Sequence, residues 1–399
     1  MKKSNFALDS TFYKKNLRLI MTETVLSNVG VGFAVSIMTI FWNSVGMNQT
    51  DIGLVQMYFT ISILLFDIPM GYIADRFNRK LINIIGDFGT AISFLIYASA
   101  NSMLVVTISE CLLGLFMAMT NGVDQAFIKL NCEKIDPSGE LFKKKNIQAQ
   151  VARYAALFVT TATGGFIARY SLRVAIGASF IPYFIGGTLA IFIKDDEIKL
   201  VQKFKNPLKD MLMAVKDIIS NKKTFTYMLV YVSANEITHS QIWVLTPLLL
   251  LVGVPIEIVS LGWVLNFAMQ TIGGKLSEKL IHLDVSKMYA IPMIIEFAWM
   301  IIIIVHVNIV TVWLFALNGL VHGLARANLG TVLQNSAKDE VQTSVMSLAS
   351  TCCRVLYIPL VAIVNYFGNI QYTYALVCVC FVFIPFFIFN MIMLKKLKD

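Results

Sequence analysis

Charged residues are scarce in this 399-residue sequence, at 14% against roughly 25% in an ordinary soluble chain. Hydrophobic residues reach 57% and the mean hydropathy is +0.70, so most of the chain is expected in lipid rather than water. Organised cysteine chemistry is missing too. Cys111, Cys132, Cys352, Cys353, Cys378 and Cys380 fall mostly in apolar runs and form no CxxC pair. That pattern argues against a disulfide framework and against a metal centre. There is no phosphate-cradling P-loop and no nucleophile–base arrangement, so neither ATP-driven work nor enzymatic catalysis is expected, and no cofactor. A cleavable secretory leader is not expected either, because Lys2 and Lys3 precede polar residues and the first apolar run is long enough to span.

What is present is a series of long apolar runs. Crossing a bilayer takes about 20 mostly apolar residues. Runs of that length occur near 17–42, 51–74, 81–101, 103–128, 147–168, 174–194, 225–251, 256–274, 288–306, 308–334, 341–367 and 371–394. The expected fold is therefore an all-α integral membrane protein with twelve transmembrane helices. Its cations alternate between connections. They crowd the N-terminus (Lys2, Lys3, Lys14, Lys15, Arg18), the even-numbered loops and the tail (Lys395, Lys396, Lys398), while the odd-numbered loops hold only Arg169 and Arg173. By the positive-inside rule both termini are expected to be cytoplasmic. The net charge of +9 then belongs to topology and to anionic lipid headgroups, and no nucleic-acid partner is expected.

The longest connection divides the chain into a first bundle at 1–194, a linker at 195–224 and a second bundle at 225–399. Within the linker, Leu208, Met211, Leu212, Val215, Ile218 and Ile219 recur at helical spacing between lysines. That pattern predicts an amphipathic helix on the inner membrane face. Two ladders of small residues echo each other, Gly114-Ala118-Gly122-Ala126 and Gly319-Gly323-Ala327-Thr331. Small residues at this spacing let helices approach closely in lipid.

Between the second and third runs lies Asp67-Ile-Pro69-Met-Gly71-Tyr-Ile-Ala-Asp75-Arg76-Phe-Asn-Arg79-Lys80. Three cations in a tight turn mark a cytoplasmic loop, and Asp75 at a helix C-terminus calls for cationic compensation, with Arg76 and Arg79 as candidates. The stretch resembles the loop signature of the major facilitator superfamily: Gly71, Asp75, Arg76, Arg79 and Lys80 match its positions, and Asp67-x-Pro69 matches a prelude of bacterial members. Gly274-Lys-Leu-Ser-Glu278-Lys279 is a weakened second copy after the eighth run. The resemblance implies two pseudo-symmetric six-helix bundles that rock around a midplane site. It also implies that the first, fourth, seventh and tenth helices line the central cavity. One departure stands out: the fifth run reads Thr160-Thr161-Ala-Thr-Gly164-Gly165, with the glycine pair of the exporters' signature but without its Gly-Pro.

Ionisable groups inside spans are costly and mark pathways or proton relays. With the helix assignment that the resemblance implies, Glu23, Glu110, Asp124, Glu236, His239 and Arg326 are the candidates for the cavity. Asp87 and Glu296 fall on peripheral helices and are expected to have local partners, and Arg153 and Arg354 are candidates for gate support. Glu236 leads as proton carrier because it lies mid-span with His239 on the same helix face, and a carboxyl in low dielectric can exchange protons near neutrality. Arg326 has three readings: a partner for Glu236, a contact for an anionic substrate, or a helix-pairing group.

The expected activity is secondary active transport across a bacterial cytoplasmic membrane, proton-coupled and directed to efflux of a small amphipathic compound. Metabolite uptake or facilitated diffusion is the alternative, and a transporter-derived sensor or lipid scramblase the remote one. The expected partners are a small-molecule substrate, protons and membrane lipids, with the chain acting as a monomer.

Overall fold

The computed structural model describes residues 2–76, 79–120, 123–138, 140–194, 215–216, 218, 220–280, 282–336 and 342–397. Among these residues there are helices and turns and no strand. The order is α1 (Lys2–Val35), α2 (Met38–Ser44), α3 (Gln49–Arg76), α4 (Arg79–Ser99), α5 (Met103–Thr120), α6 (Val123–Ile135), α7 (Glu140–Ala168), α8 (Leu172–Ala178) and α9 (Phe180–Phe192). After the linker come α10 (Lys222–His239), α11 (Leu245–Leu251), α12 (Ile256–Leu280), α13 (Val285–Val305), α14 (Ala316–Ser336), α15 (Gln342–Ile370) and α16 (Tyr372–Lys395). The amphipathic helix expected in the linker lies mostly outside the described residues.

Every predicted apolar run coincides with one helix or with consecutive helices. Among the described residues, seven spans are long and apolar enough to cross a membrane, and the α1–α2 pair, bent by 45°, makes an eighth if taken as one span. Of the four remaining runs, those at α10–α11 and α14 are the more polar ones. Helices α10 and α14 carry Asn, Glu, His and Arg side chains. Among the described residues, length and apolarity thus support seven spans of the expected twelve, or eight with the bent pair taken as one. Many of the exposed side chains are large and apolar, including Phe381, Val305 and Ile294, as a lipid-facing surface requires.

Contacts group the chain into two compact units, Met1–Gly46 with Ile61–Leu200, and Met47–Thr60 with Val201–Asp399. In the first unit, α1 packs on α6, α7 and α9, and α4 on α5 and α9. Asn16 joins three segments, since its amide donates to Asn131 Oδ1 (2.9 Å) and Lys194 O (3.0 Å) and its oxygen accepts from Lys194 N (2.9 Å). Close approach depends on glycine here. A Cβ on Gly164 would strike the Phe33 carbonyl, and one on Gly32 the Thr160 hydroxyl.

The second unit repeats the device on different helices. Gly319 and Gly323 of α14 sit against the backbone carbonyls of Asn266 and Gln270 on α12, so half of the second small-residue ladder is seen in its packing role. Asn390 of α16 donates to Ser233 Oγ (2.9 Å) and Tyr289 OH (3.0 Å), tying α10, α13 and α16 together. The first turns of α3 also belong to this unit. Gln49 Nε2 donates to Asn365 Oδ1 (2.5 Å) and Trp243 O (3.3 Å), and Gly53 lies where a Cβ would stand 2.9 Å from Val361 O.

Candidate functional site

Helix α10 breaks at Ser240, and a short 3-10 turn (Ile242–Val244) leads into α11. The last turns of α10 are rich in polar residues, and Asn235, Glu236 and Thr238 are all buried. Such a segment persists in an apolar unit only if its polar groups find partners. Most do. Asn235 Nδ2 donates to Tyr231 O (2.7 Å), and the Thr238 carbonyl accepts from Asn318 Nδ2 (2.9 Å). The Thr238 hydroxyl lies 2.8 Å from Asn235 O and 2.9 Å from His322 Nδ1. One hydroxyl proton cannot serve both. With that proton on the Asn235 carbonyl, His322 carries its hydrogen on Nδ1 and leaves Nε2 open.

Glu236 is the exception. It is 3% exposed, its hydrogen-bonding neighbour is the Cys353 thiol of α15, and its Oε2 has no hydrogen-bond partner among the described residues. A thiol is a weak donor. Three residues on, the exposed His239 stacks on Tyr357 with ring centroids 4.3 Å apart and planes at 18°. Tyr357 is fixed in turn by Trp243 Nε1, which donates to its hydroxyl at 3.0 Å. Arg326 of α14 lies one turn beyond His322 with its side chain exposed. Its charge acts on His239, His322, Tyr231 and Cys353. Three sequence candidates, Glu236, His239 and Arg326, therefore lie in the second unit on two helices, α10 and α14, that pack together. His322, Cys353 and Tyr357 join them, and of these His322 had a readable signal in its position four residues before Arg326.

A second buried glutamate lies nearby in a different setting. Glu296 of α13, wholly buried, accepts from Gln241 Nε2 (2.6 Å), Asn318 Nδ2 (3.0 Å) and Trp299 Nε1 (2.9 Å). Asn318 in turn accepts from Asn266 Nδ2 (3.3 Å). Only Trp299 is local; Gln241 and Asn318 come from the break after α10 and from α14, so Glu296 joins three elements instead of keeping the local partners expected for it.

The first-unit candidates do not form one cluster. Glu23 of α1 accepts from Asn83 Nδ2 (3.1 Å), and both Glu23 and Asp87 flank Gly186 of α9. Glu110 of α5 accepts from Tyr97 OH (2.8 Å), and Tyr97 accepts in turn from Trp42 Nε1. Arg173 sits close by, donating to Ala98 O and Asn101 Oδ1, each at 2.8 Å. Arg153 on α7 and Arg354 on α15 are half-buried. Of the loop motif, Asp67 and Pro69 lie in α3 and Arg79 and Lys80 open α4. The side chains of Gly71, Asp75, Arg76 and Asp124 lie outside the described residues. No group of metal-ligating side chains occurs among the described residues.

The comparisons with known proteins agree with this architecture. The family model described as Major Facilitator Superfamily matches residues 23–360. An uncharacterized MFS-type transporter of Methanocaldococcus jannaschii is 25% identical over 177 residues, covering 44% of this chain and 39% of that protein. Quinolone resistance protein NorA of Staphylococcus aureus is 24% identical over 178 residues, covering 44% of this chain and 42% of NorA. The matched part thus spans about two fifths of these relatives' length. Among solved structures, nucleoside transporter NupG superposes with a TM-score of 0.76 at 9% identity, covering 96% of this chain and 99% of that one. A bacterial homologue of the human lysosomal transporter Spinster gives 0.75 at 12% identity, covering 96% and 98%. At such identities these two share the fold.

Proposed function

Because this chain belongs to the Major Facilitator Superfamily, we propose that it is a secondary active transporter that exports a small amphipathic molecule by alternating access, driven by protons. The carrying observation is Glu236, a mid-span carboxyl with one weak donor beside it and, among the described residues, one oxygen without a partner. No set of strong donors locks its ionised form, so it is suited to take up and release a proton in each cycle. The partial similarity to NorA supports export. The Lys/Arg distribution supports a cytoplasmic membrane with both termini inside, and the apolar exterior supports a monomer surrounded by lipid. The proton gradient serves as energy source, with no cofactor and no enzymatic step.

The test is solute-induced proton movement in proteoliposomes loaded with a pH dye, run with Glu236→Gln in parallel. A solute-dependent pH change in the native protein that disappears in Glu236→Gln is the expected result, and its sign gives the direction. Equal solute flux in both proteins without a pH change would make the protein a facilitator. A sign corresponding to co-transport into the cell would make it an uptake permease.

A further inference from the structure

The first turns of α3 are attached to the rest of the second unit largely by polar groups. Gln49 Nε2 donates to Asn365 Oδ1 (2.5 Å) and Trp243 O (3.3 Å), and its backbone N–H donates to Asn369 Oδ1 (3.3 Å). The Trp243 carbonyl is open to Gln49 because the residue four places on is Pro247, which has no N–H to donate. Gln49, Gly53, Gln56 and Thr60 follow at spacings of four, three and four and so share one helix face. The three side chains among them are buried, alongside Ile52 and Val55. Apolar side chains alone would make such a contact permanent. Neutral amide bonds can be exchanged for bonds to water at small net cost, which suits a contact that opens. The boundary of the two units falls inside this unbroken helix, between Thr60 and Ile61, so movement of one unit on the other loads this attachment.

The attachment continues into the candidate site. Trp243, whose carbonyl holds Gln49, donates its Nε1 to Tyr357 OH (3.0 Å). The Tyr357 ring stacks on His239, three residues after Glu236. Asn365 lies about two turns beyond Tyr357 on α15. Gln49 thus bonds both elements that frame the stack.

We propose that this attachment is a latch that opens in each transport cycle, and that Gln49 is a positioning residue which, through Trp243 and Tyr357, sets the end of α10 that carries Glu236. This rests on the transporter reading above and adds to it the contact that must release. Closed, the latch holds the Trp243 turn and the Tyr357–His239 stack in place. Open, Gln49 exchanges Trp243 and Asn365 for water, and the Glu236 segment loses its support on that side.

The test is hydrogen–deuterium exchange, read by mass spectrometry on the purified full-length protein in neutral detergent, with residues 372–395 as internal reference. Gln49→Ala and Gln49→Met, the second keeping the length of the side chain without its donor, should both speed exchange roughly tenfold in 47–60 and in 236–244. That is the size expected for the loss of two buried hydrogen bonds, and the reference should not change. Faster exchange in 47–60 alone would reduce Gln49 to local packing and overturn the positioning role, as would no change in either segment. Gln49→Cys combined with Gly368→Cys supplies the lock. Gln49 Cγ stands 3.3 Å from where a Cβ on Gly368 would be, within reach of a disulfide. Oxidation should slow exchange in both segments and stop the solute-induced pH response in proteoliposomes, and dithiothreitol should restore both. Each single-cysteine variant, treated alike, should show neither effect. A full response from the cross-linked protein would make the contact permanent and overturn the latch, and failure to form the bridge would remove the closed contact itself. Exchange needs neither solute nor proton flux, so it decides the latch whatever becomes of the transport reading. A latch that opens in a protein with no solute-driven response would sink that reading alone.

Discussion

Glu236 and Glu296 are buried glutamates of the same unit, on α10 and α13, and both connect with Thr238: Glu236 lies two residues before it, and Glu296 reaches it through Asn318. Their surroundings differ. Three N–H groups from Gln241, Asn318 and Trp299 hold both oxygens of Glu296, while Glu236 has a thiol and an oxygen with no partner among the described residues. Burial alone therefore does not separate the two acids; the number and strength of their donors do. A fully satisfied network stiffens its surroundings, and here it fixes the break after α10 from which the Glu236 segment hangs.

Four substitutions can break or sharpen this contrast. Glu296→Ala should have the largest effect, since it strands three buried donors at about 1–3 kcal/mol each. A steep fall in melting temperature in detergent is expected, and a protein that melts normally while losing its proton response would exchange the roles of the two acids. Glu236→Gln should do the opposite, abolishing solute-driven proton movement while melting within about 1 kcal/mol of the native protein. Thr238→Val probes the link between the two regions. It removes the hydroxyl from His322 but keeps the carbonyl for Asn318, so a stability loss of about 0.5–1.5 kcal/mol should accompany a weakened response to solute. Cys353→Ala should be mildest, changing transport rate less than about twofold because a thiol contributes a weak hydrogen bond. A loss as complete as that of Glu236→Gln would make the thiol an obligatory partner.

Much of the fold was legible because lipid imposes length and apolarity on every span. The measure weakens at the candidate site: α10 and α14 read as less apolar since they carry Asn235, Glu236, His322 and Arg326. Glu236 and His239 were found by helical spacing. Cys353 and Tyr357 were not, because they come from α15, more than a hundred residues away, and an isolated cysteine or tyrosine in an apolar run looks like packing. Glu110 shows the converse. Its place on a helix assigned to the cavity made it a candidate, and only the tertiary structure reveals Tyr97 and Trp42 closing over it. The grouping of Met47–Thr60 with the second unit also has no local signal, since nothing around Gln49 points to Asn365.

That last contact has a consequence for how the protein is made. Gln49 and Asn365 are separated by 316 residues, and a ribosome adding about 5–20 residues per second needs roughly 15–60 s to cover that distance. For that interval the start of α3 has left the ribosome while the asparagine that accepts from its amide has not been synthesised. Residues 47–60 therefore emerge well before the side chain that holds Gln49 is made, and this part of the second unit can close only after synthesis has passed Asn365.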